Sequence, residues 1–422
     1  MFSVKSPSDC LHGLCSRLTR QQKTAFLSTF FIGFFCHIFI FTNSMYNNDD
    51  IRYLYVTFDK PELGRWLQTY AAGISSYFSL PAVNGILALL YAGLAAMALV
   101  RIFDLRNTLG VILISGMLIT FPTVAAIYSY MFAADPFLMS CLLGTLAAYF
   151  VTRTDARWGW LAGAACLCCS VGIYQAYLAF TLILMLLFFI LMLLQPQQYP
   201  DQTILTMGVR YVLMLGVGMG AYYIGMTATL AAKHIELSSY QGIDNSSVPG
   251  LVEIKNRLLL VFQDFRTSLG PSQVLAFNRW MGLALALSLL MLFVFAAVLY
   301  LKHNVYKSLL RNALLVFCAL CIPLSLEVFY LISSGVNVHM LMRHAWCLLF
   351  AAVIIFYEKA APLCGVSKAR LLEWVSFGAV FLAVWNYILL SNIAYFNMNF
   401  RYEKTGPLPL SATTAKHIKW KP

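Results

Sequence analysis

The stretch that decides the fold is TAFLSTFFIGFFCHIFIFT at residues 24–42, followed almost at once by SMYNNDDIRY at residues 44–53. The first segment contains no Asp, Glu, Lys or Arg and is long enough to cross a bilayer as one helix. The second places Asp49, Asp50 and Arg52 where that helix leaves the membrane. Ionisable groups at such a boundary are costly and commonly mark a functional site. We therefore expect a membrane scaffold that holds this loop in place.

The composition of the whole chain agrees with that expectation. Of its 422 residues, 60% are hydrophobic and only 11% are charged, whereas soluble domains carry roughly 25% charged residues. The net charge of +12 is better explained by loop topology and anionic headgroups than by nucleic acid, because many Lys and Arg residues flank apolar runs. Most of the 11 cysteines lie in such runs, so we expect small buried hydrophobes and assign no metal ligand. The sequence predicts an all-α, polytopic transmembrane protein.

The Lys and Arg distribution predicts the topology. A basic N-terminus, residues 1–23, is expected in the cytoplasm, followed by about eleven spans within a single membrane domain. Two long external loops, 44–81 and 231–278, and an external tail, 393–422, complete the layout. Short interfacial helices are expected in the loops, including an amphipathic one at 251–269. Seven spans are expected near residues 24–42, 82–100, 109–127, 208–230, 280–301, 312–333 and 371–392. A further span is expected between the turn at 133–136 and Arg153, two lie within 158–194 and are divided at 172–177, and another follows the turn at 339–344 and ends at Glu358.

Four acids on the outward side could carry chemistry. Asp49 and Asp50 point apart in any regular structure, so one could be a general base while the other caps a helix or holds a metal or a sugar hydroxyl. Asp135 precedes Pro136 and could equally be a turn residue. Glu327 could be the structural partner of Arg343, because charges buried in a membrane normally pair.

Several cations could neutralise a phosphate. Arginine matches phosphate geometry, which makes Arg52, Arg65 and Arg343 candidates, together with His339 and His344. Contact with lipid headgroups explains Arg52 and Arg65 equally well, and a plain turn explains His339. The aromatic residues of the first loop fit an interfacial belt or sugar stacking.

Four short motifs carry a resemblance to a known family. They are NNDDIR at residues 47–52, GRW at residues 64–66, ADP at residues 134–136 and SVGIYQAY at residues 170–177. In this order, and on one predicted side, they resemble the GtrII-like, serotype-converting glucosyltransferases of bacteria and phages, which are of the GT-C class of membrane glycosyltransferases. The second half of the chain agrees only in its helical layout.

This resemblance implies a function. Such enzymes take glucose from a polyprenyl-phosphate donor at the periplasmic face of the bacterial inner membrane and attach it to a lipid-linked polysaccharide such as O-antigen. A donor-synthesising glucosyltransferase and a flippase are implied partners, and nucleic acid is not. Asp50 would then be the base, with Asp49 in support and a divalent cation, Mg²⁺ or Mn²⁺, left open. The residues expected to bind the donor phosphate or sugar are Arg52, Arg65, Asp135, Tyr174, Gln175, Glu327, His339 and Arg343.

Two other readings stay open at the level of the sequence. A transporter or flippase of lipid-linked saccharides would share the polytopic body, but it would be expected to place charges through both leaflets. The acids of this chain gather toward the outer side instead. A non-catalytic membrane partner would leave the acid pair without a role.

Overall fold

The computed structural model describes residues 6–43, 45, 47, 49–50, 53, 59–153, 157–239, 250–271, 275–332 and 335–405. These residues form helices and turns, and no strand occurs among them. The helices are α1 (Pro7–Arg17), α2 (Arg20–Thr42), α3 (Gln68–Ala72), α4 (Pro81–Phe103), α5 (Thr108–Thr120), α6 (Pro122–Tyr128), α7 (Ala134–Arg153), α8 (Gly159–Ile173), α9 (Tyr177–Leu193), α10 (Asp201–Lys233), α11 (Leu251–Leu269), α12 (Arg279–Lys302), α13 (Leu309–Leu326), α14 (Val328–Ile332), α15 (Cys347–Ala360) and α16 (Val366–Thr405).

The apolar helices establish a membrane-embedded protein. Within the described residues, eight helical segments are long and apolar enough to cross a bilayer, and the bent pair α5–α6 raises the number to nine. The helices α8 and α9 are apolar but shorter, at 15 and 17 residues. The eight segments are Arg20–Thr42, Pro81–Phe103, Met131–Thr152, Asp201–Lys233, Arg279–Lys302, Leu309–Leu326, His344–Leu363 and Val366–Arg401. An all-helical membrane fold is confirmed, while the count of eleven spans and the GT-C class stay predictions.

The helix boundaries differ from the expected ones in a few places. The long apolar run after residue 157 divides at Tyr174, as predicted, and the amphipathic helix covers Leu251–Leu269 as predicted. The link before α10 is shorter than expected, because that helix already begins at Asp201. Residues 393–405, expected in a tail, continue α16 instead.

Small residues allow the first helices to pack closely. The helix α4 packs against α2 on one side and α7 on the other, and α7 continues the contact to α8. A Cβ atom on Gly33 of α2 would lie 2.5 Å from Leu89 and 2.6 Å from Ile119. Glycine at this position therefore sets the spacing of α2, α4 and α5, as small residues do in membrane bundles.

A bend of 44° separates α5 from α6 at Pro122. Proline has no N–H group and cannot continue the hydrogen-bond ladder, so nearby carbonyl groups need other partners. Two buried imidazoles supply them. His37 Nε2 lies 2.9 Å from the Ile119 carbonyl oxygen, and His344 Nε2 lies 2.8 Å from that of Leu118.

Arg311 stabilises the end of the bundle at which α9 terminates. Arg311, at the start of α13, donates to the carbonyl oxygens of Leu193 at 2.9 Å and Tyr199 at 2.6 Å. It also forms an ion pair with Asp201 at 2.7 Å. The carbonyls at the C-terminus of α9 are thus capped by a cation. The other end of α9 begins at Tyr177.

Candidate functional site at one end of the bundle

Asp50 is held by its own loop and by the turn before α7. Asn47 and Asp50 form a reciprocal pair: the Asp50 N–H donates to Asn47 Oδ1 at 2.8 Å, and the Asn47 N–H donates to Asp50 Oδ2 at 3.2 Å. This is the arrangement of a capping box. The Ser79 hydroxyl donates to Asp50 Oδ1 at 2.6 Å, and the Phe132 N–H approaches the same oxygen at 3.4 Å. Capping, one of the alternatives left open by the sequence, is therefore part of the role of Asp50.

The side chain of Asp50 is fully buried. Burial raises the pKa of Asp50 to about 6, and the hydrogen bonds from Ser79, Asn47 and Phe132, which favour the ionised form, oppose that rise only in part. A carboxylate with a pKa near 6 is ionised at neutral pH and is still basic enough to accept a proton. Asp49, its neighbour, is exposed.

Asp135 lies at the other side of the same turn. It is in the first turn of α7 rather than in the loop expected from Asp-Pro, and it is fully buried. Asn84, near the start of α4, donates to Asp135 Oδ1 at 2.8 Å. Asp135 Oδ2 is buried and has no hydrogen-bond partner among the described residues. The two aspartates therefore flank the turn Met131–Ala133.

Gly64 and Gln175 build a second group beside these acids. Gly64 ends the 3-10 turn Pro61–Leu63 with a φ of +75°, a conformation that suits glycine. A Cβ atom there would lie 2.7 Å from Gln175 Nε2, which donates to the Leu63 carbonyl oxygen at 2.7 Å. Arg65 follows directly, and its Nε donates to Gln175 Oε1 at 3.4 Å.

The guanidinium of Arg65 rests on aromatic rings. Its central carbon lies 4.9 Å from the ring centroid of Tyr174, and that ring stacks on Phe137 at 4.0 Å. Phe137 is two residues beyond Asp135 in α7, so the arginine–aromatic group lies at the same end of α7 as Asp135. The structure thus brings together Arg65, Tyr174 and Gln175, three residues that the sequence analysis assigned to donor binding.

Glu327 and Arg343 form a separate, ion-paired cluster. Glu327 occupies the break between α13 and α14, and Arg343 Nη1 donates to Glu327 Oε1 at 3.2 Å. Arg343 also donates to Asp264 Oδ2 at 2.8 Å and to the Ser268 hydroxyl at 2.9 Å, both on α11. The pairing of Glu327 with Arg343, one of the alternatives left open by the sequence, is present in the structure. Burial raises the pKa of Glu327 even though the Arg343 guanidinium opposes the rise.

His339 and His344, near Arg343 in the sequence, were also expected to neutralise a phosphate. His344 is buried between the Leu118 carbonyl and the Tyr177 hydroxyl, 3.1 Å from its Nδ1. Nε2 donates to the Leu118 carbonyl oxygen, and Nδ1 shares a hydrogen bond with the Tyr177 hydroxyl. Burial, and next the nearby Arg343, lower the pKa of His339. Phosphate binding by these two imidazoles stays a prediction.

Some site residues were not found from the sequence. Ser79 and Asn84 hold the two aspartates, and Asp264 and Ser268 hold Arg343. Asn84 is the only amide in the apolar run 82–100, which is a usable signal. Arg52, expected beside Asp50, lies outside the described residues.

Metal binding was left open by the sequence. Among the described residues, no three His, Cys, Asp or Glu side chains are placed to hold a metal ion. The steps derived below use only side chains of the chain itself.

Fold and site together define an all-helical, membrane-embedded protein with buried carboxyl groups and an arginine–aromatic group at one end. Residues 38–359 match the family model described as Glucosyl transferase GtrII. The match covers more than half of the chain, so the protein belongs to this family of glucosyltransferases, as its motifs indicated. No curated protein and no solved structure gives a significant match. The matched range contains both aspartates, the arginine–aromatic group and the Arg343 cluster.

Proposed function

We propose that the protein transfers a glucosyl unit from a polyprenyl-phosphate donor to a lipid-linked surface polysaccharide at the periplasmic face of the bacterial inner membrane. Membership of a glucosyltransferase family supports the chemistry of transfer. The membrane-embedded body supports lipid-linked substrates, since such a protein meets its substrates within the bilayer. A lipid donor also removes the need for a nucleotide-binding fold.

The single observation that carries the proposal is the environment of Asp50. A buried carboxyl group with a pKa of about 6, held by the Ser79 hydroxyl and two backbone N–H groups, is suited to general-base catalysis near neutral pH. In the proposed reaction, the acceptor hydroxyl loses its proton to Asp50 while its oxygen bonds to C1 of glucose. The bond between C1 and the phosphate oxygen breaks, and the polyprenyl phosphate leaves with the electron pair. In-line displacement inverts the anomeric centre.

Arg65 is proposed to bind the departing phosphate. Its guanidinium is partly buried, is supported by Tyr174 and Gln175, and is not part of a described ion pair. Positive charge at the leaving group stabilises the negative charge that develops there in the transition state. Arg343, by contrast, already contacts two carboxyl groups, so a structural role fits it better than the first contact with phosphate.

Reconstitution tests the proposal. Purified protein in vesicles is given a synthetic polyprenyl-phosphate donor carrying labelled glucose, together with lipid-linked polysaccharide extracted from bacterial membranes. We expect label in the polysaccharide with the wild-type chain and almost none with Asp50→Asn. Movement of the donor across the bilayer without transfer would instead identify a flippase. Comparing surface polysaccharides of cells with and without the gene identifies the acceptor.

A further inference from the structure

The two buried aspartates are not equivalent. Both carboxylate oxygens of Asp50 accept hydrogen bonds, from Ser79 and Phe132 on one oxygen and from Asn47 on the other. At Asp135, Oδ1 accepts a hydrogen bond from Asn84, while Oδ2 is buried and has no described hydrogen-bond partner. Leaving a buried acceptor unpaired costs about 1–3 kcal/mol, so a ligand that pairs with Oδ2 would be stabilised there.

Asn84 fixes the direction in which Asp135 points. The Asn84 side chain is fully buried and makes three described hydrogen bonds. Its Oδ1 accepts from the Leu80 N–H at 2.7 Å, and its Nδ2 donates both to Asp135 Oδ1 at 2.8 Å and to the Ser75 hydroxyl at 3.1 Å. The Ser75 hydroxyl also interacts with the Asp135 carboxyl group. An amide held at both ends leaves its carboxyl partner little freedom to rotate.

The chemistry of Oδ2 restricts its ligand. An ionised carboxylate repels phosphate and needs a hydrogen-bond donor, and a protonated one needs an acceptor. A sugar hydroxyl can both donate and accept, so it pairs with the carboxyl group in either state. The chemistry of the carboxyl group therefore favours a sugar hydroxyl over a phosphate.

We propose that Asp135 contacts a hydroxyl of the transferred sugar through Oδ2, and that Asn84 is the positioning residue that aims it. This inference rests on the proposed function. It assigns Asp135 to recognition of the sugar, whereas Asp50 removes the proton from the acceptor. The sugar that is transferred would then be selected by a contact to one particular hydroxyl.

A series of deoxy donors tests this contact. The wild-type chain is assayed with polyprenyl-phosphate glucose and with its 2-, 3-, 4- and 6-deoxy analogues. A buried polar group left unpaired discriminates strongly against the analogue that lacks its partner. We expect one deoxy donor to lose on the order of 10- to 100-fold in kcat/KM. In the Asp135→Ala variant, kcat/KM for the glucose donor should fall to the value for that deoxy analogue, so the variant no longer distinguishes the two donors.

Asn84→Ala should weaken the same discrimination without abolishing transfer, since Asp135 remains but is free to rotate. Asn386→Ala is the matched control, because Asn386 is a buried amide whose described bonds go to Asn278 and Leu382 in another part of the bundle. It should keep the full discrimination. Folding of each variant is checked by thermal unfolding, and Asp135→Asn replaces Asp135→Ala if the latter does not fold.

The outcomes separate the two proposals. A wild-type chain that transfers no sugar from any donor refutes the proposed function and this inference with it. Transfer of glucose and of all four analogues at similar rates leaves the function standing but refutes the contact, since only water would then meet Oδ2. Discrimination that survives in Asp135→Ala also refutes it. Discrimination lost in Asp135→Ala but intact in Asn84→Ala removes the positioning role of Asn84.

Discussion

The Asp50–Asp135 region and the Arg343 cluster satisfy buried carboxyl groups in opposite ways. Asp50 and Asp135 are held by a hydroxyl, an amide and backbone N–H groups, all of them neutral. Glu327 and Asp264 share the guanidinium of Arg343. Neutral hydrogen-bond donors leave a carboxyl group without a counter-ion, whereas an adjacent cation favours its ionised form and ties the group into an ion pair. At Glu327 burial outweighs the cation, so its pKa is still raised. We infer that the first region serves chemistry and the second holds α11 on the bundle.

The largest effect is expected from substituting Asp50, whose carboxyl group is held by neutral hydrogen-bond donors. Asp50→Asn keeps the shape of the side chain but cannot accept the acceptor's proton, so transfer should fall about 10²- to 10⁴-fold. Because burial raises the pKa of Asp50, its ionised form is a cost to the folded state at neutral pH. The unfolding temperature of the variant should therefore be equal to or higher than that of the wild type. Lower stability with near-normal transfer would make Asp50 purely structural.

The pH dependence of transfer provides an independent measurement of the same group. The base must be ionised, so the wild-type rate should fall about tenfold per pH unit below the pKa near 6. Asp59→Asn is the matched control, since Asp59 lies in the same loop, is ion-paired with Lys233 at the surface and should leave this profile unchanged.

The second-largest effect is expected from substituting Arg343. It should lower the stability of the protein, while the transfer rate of the molecules that remain folded should change less. Arg343→Gln leaves Glu327 and Asp264 without their cation, and breaking a buried pair costs about 3–5 kcal/mol of unfolding free energy. Denaturation in detergent measures it. Arg106→Gln removes an ion pair whose arginine side chain is 82% exposed, so a change below about 1 kcal/mol is expected there. Equal losses in both variants would contradict a buried, structural cluster.

A smaller effect is expected from Glu327→Gln. Burial raises the pKa of Glu327, so replacing its carboxyl group by a neutral amide should cost little stability. The amide oxygen can still accept hydrogen bonds from Arg343 and Trp346. We expect the unfolding free energy to change by about 1 kcal/mol, the scale of one hydrogen bond. A loss as large as that of Arg343→Gln would show that ionised Glu327 is essential to the cluster.

The smallest effect should come from Arg65→Lys. Lysine keeps the charge but loses the planar contact with the Tyr174 ring, which is worth about 0.5–1 kcal/mol at a partly exposed site. Thermal unfolding should change little, while KM for the donor should rise because the phosphate loses a two-pronged partner. An unchanged KM would mean that another cation binds the phosphate.

The sequence predicts helices well because a bilayer imposes their length and composition. The apolar runs at 82–100 and 280–301 differ by only a few residues from α4 and α12. The polar stretch at Tyr174–Gln175 correctly divides α8 from α9, since it interrupts an apolar run too long for one helix. The bend at Pro122 was not predicted, because proline is tolerated inside membrane helices wherever neighbours satisfy the freed carbonyls.

The candidate site was predicted less completely than the helices. The acids stand out because charge is rare in this chain, but their partners do not. Ser79 is an ordinary polar residue in a loop, and Asp264 is one of several charges on an amphipathic helix. Only the fold reveals that Asp264, 79 positions away, meets Arg343. Pairing over such distances depends on packing, which local patterns do not encode.

The bend at Pro122 also bears on how the protein is made. His37 of α2 meets the bend through Nε2, and its other ring nitrogen lies 2.7 Å from the hydroxyl of Tyr395, 358 residues later in the chain. During synthesis α2 and α5 enter the membrane long before α16 exists. Until then His37 Nδ1 lacks this partner in an apolar interior, which is costly. The first and last membrane-spanning helices, α2 and α16, share this contact, so the bundle reaches its lowest free energy only when the final helix has been inserted.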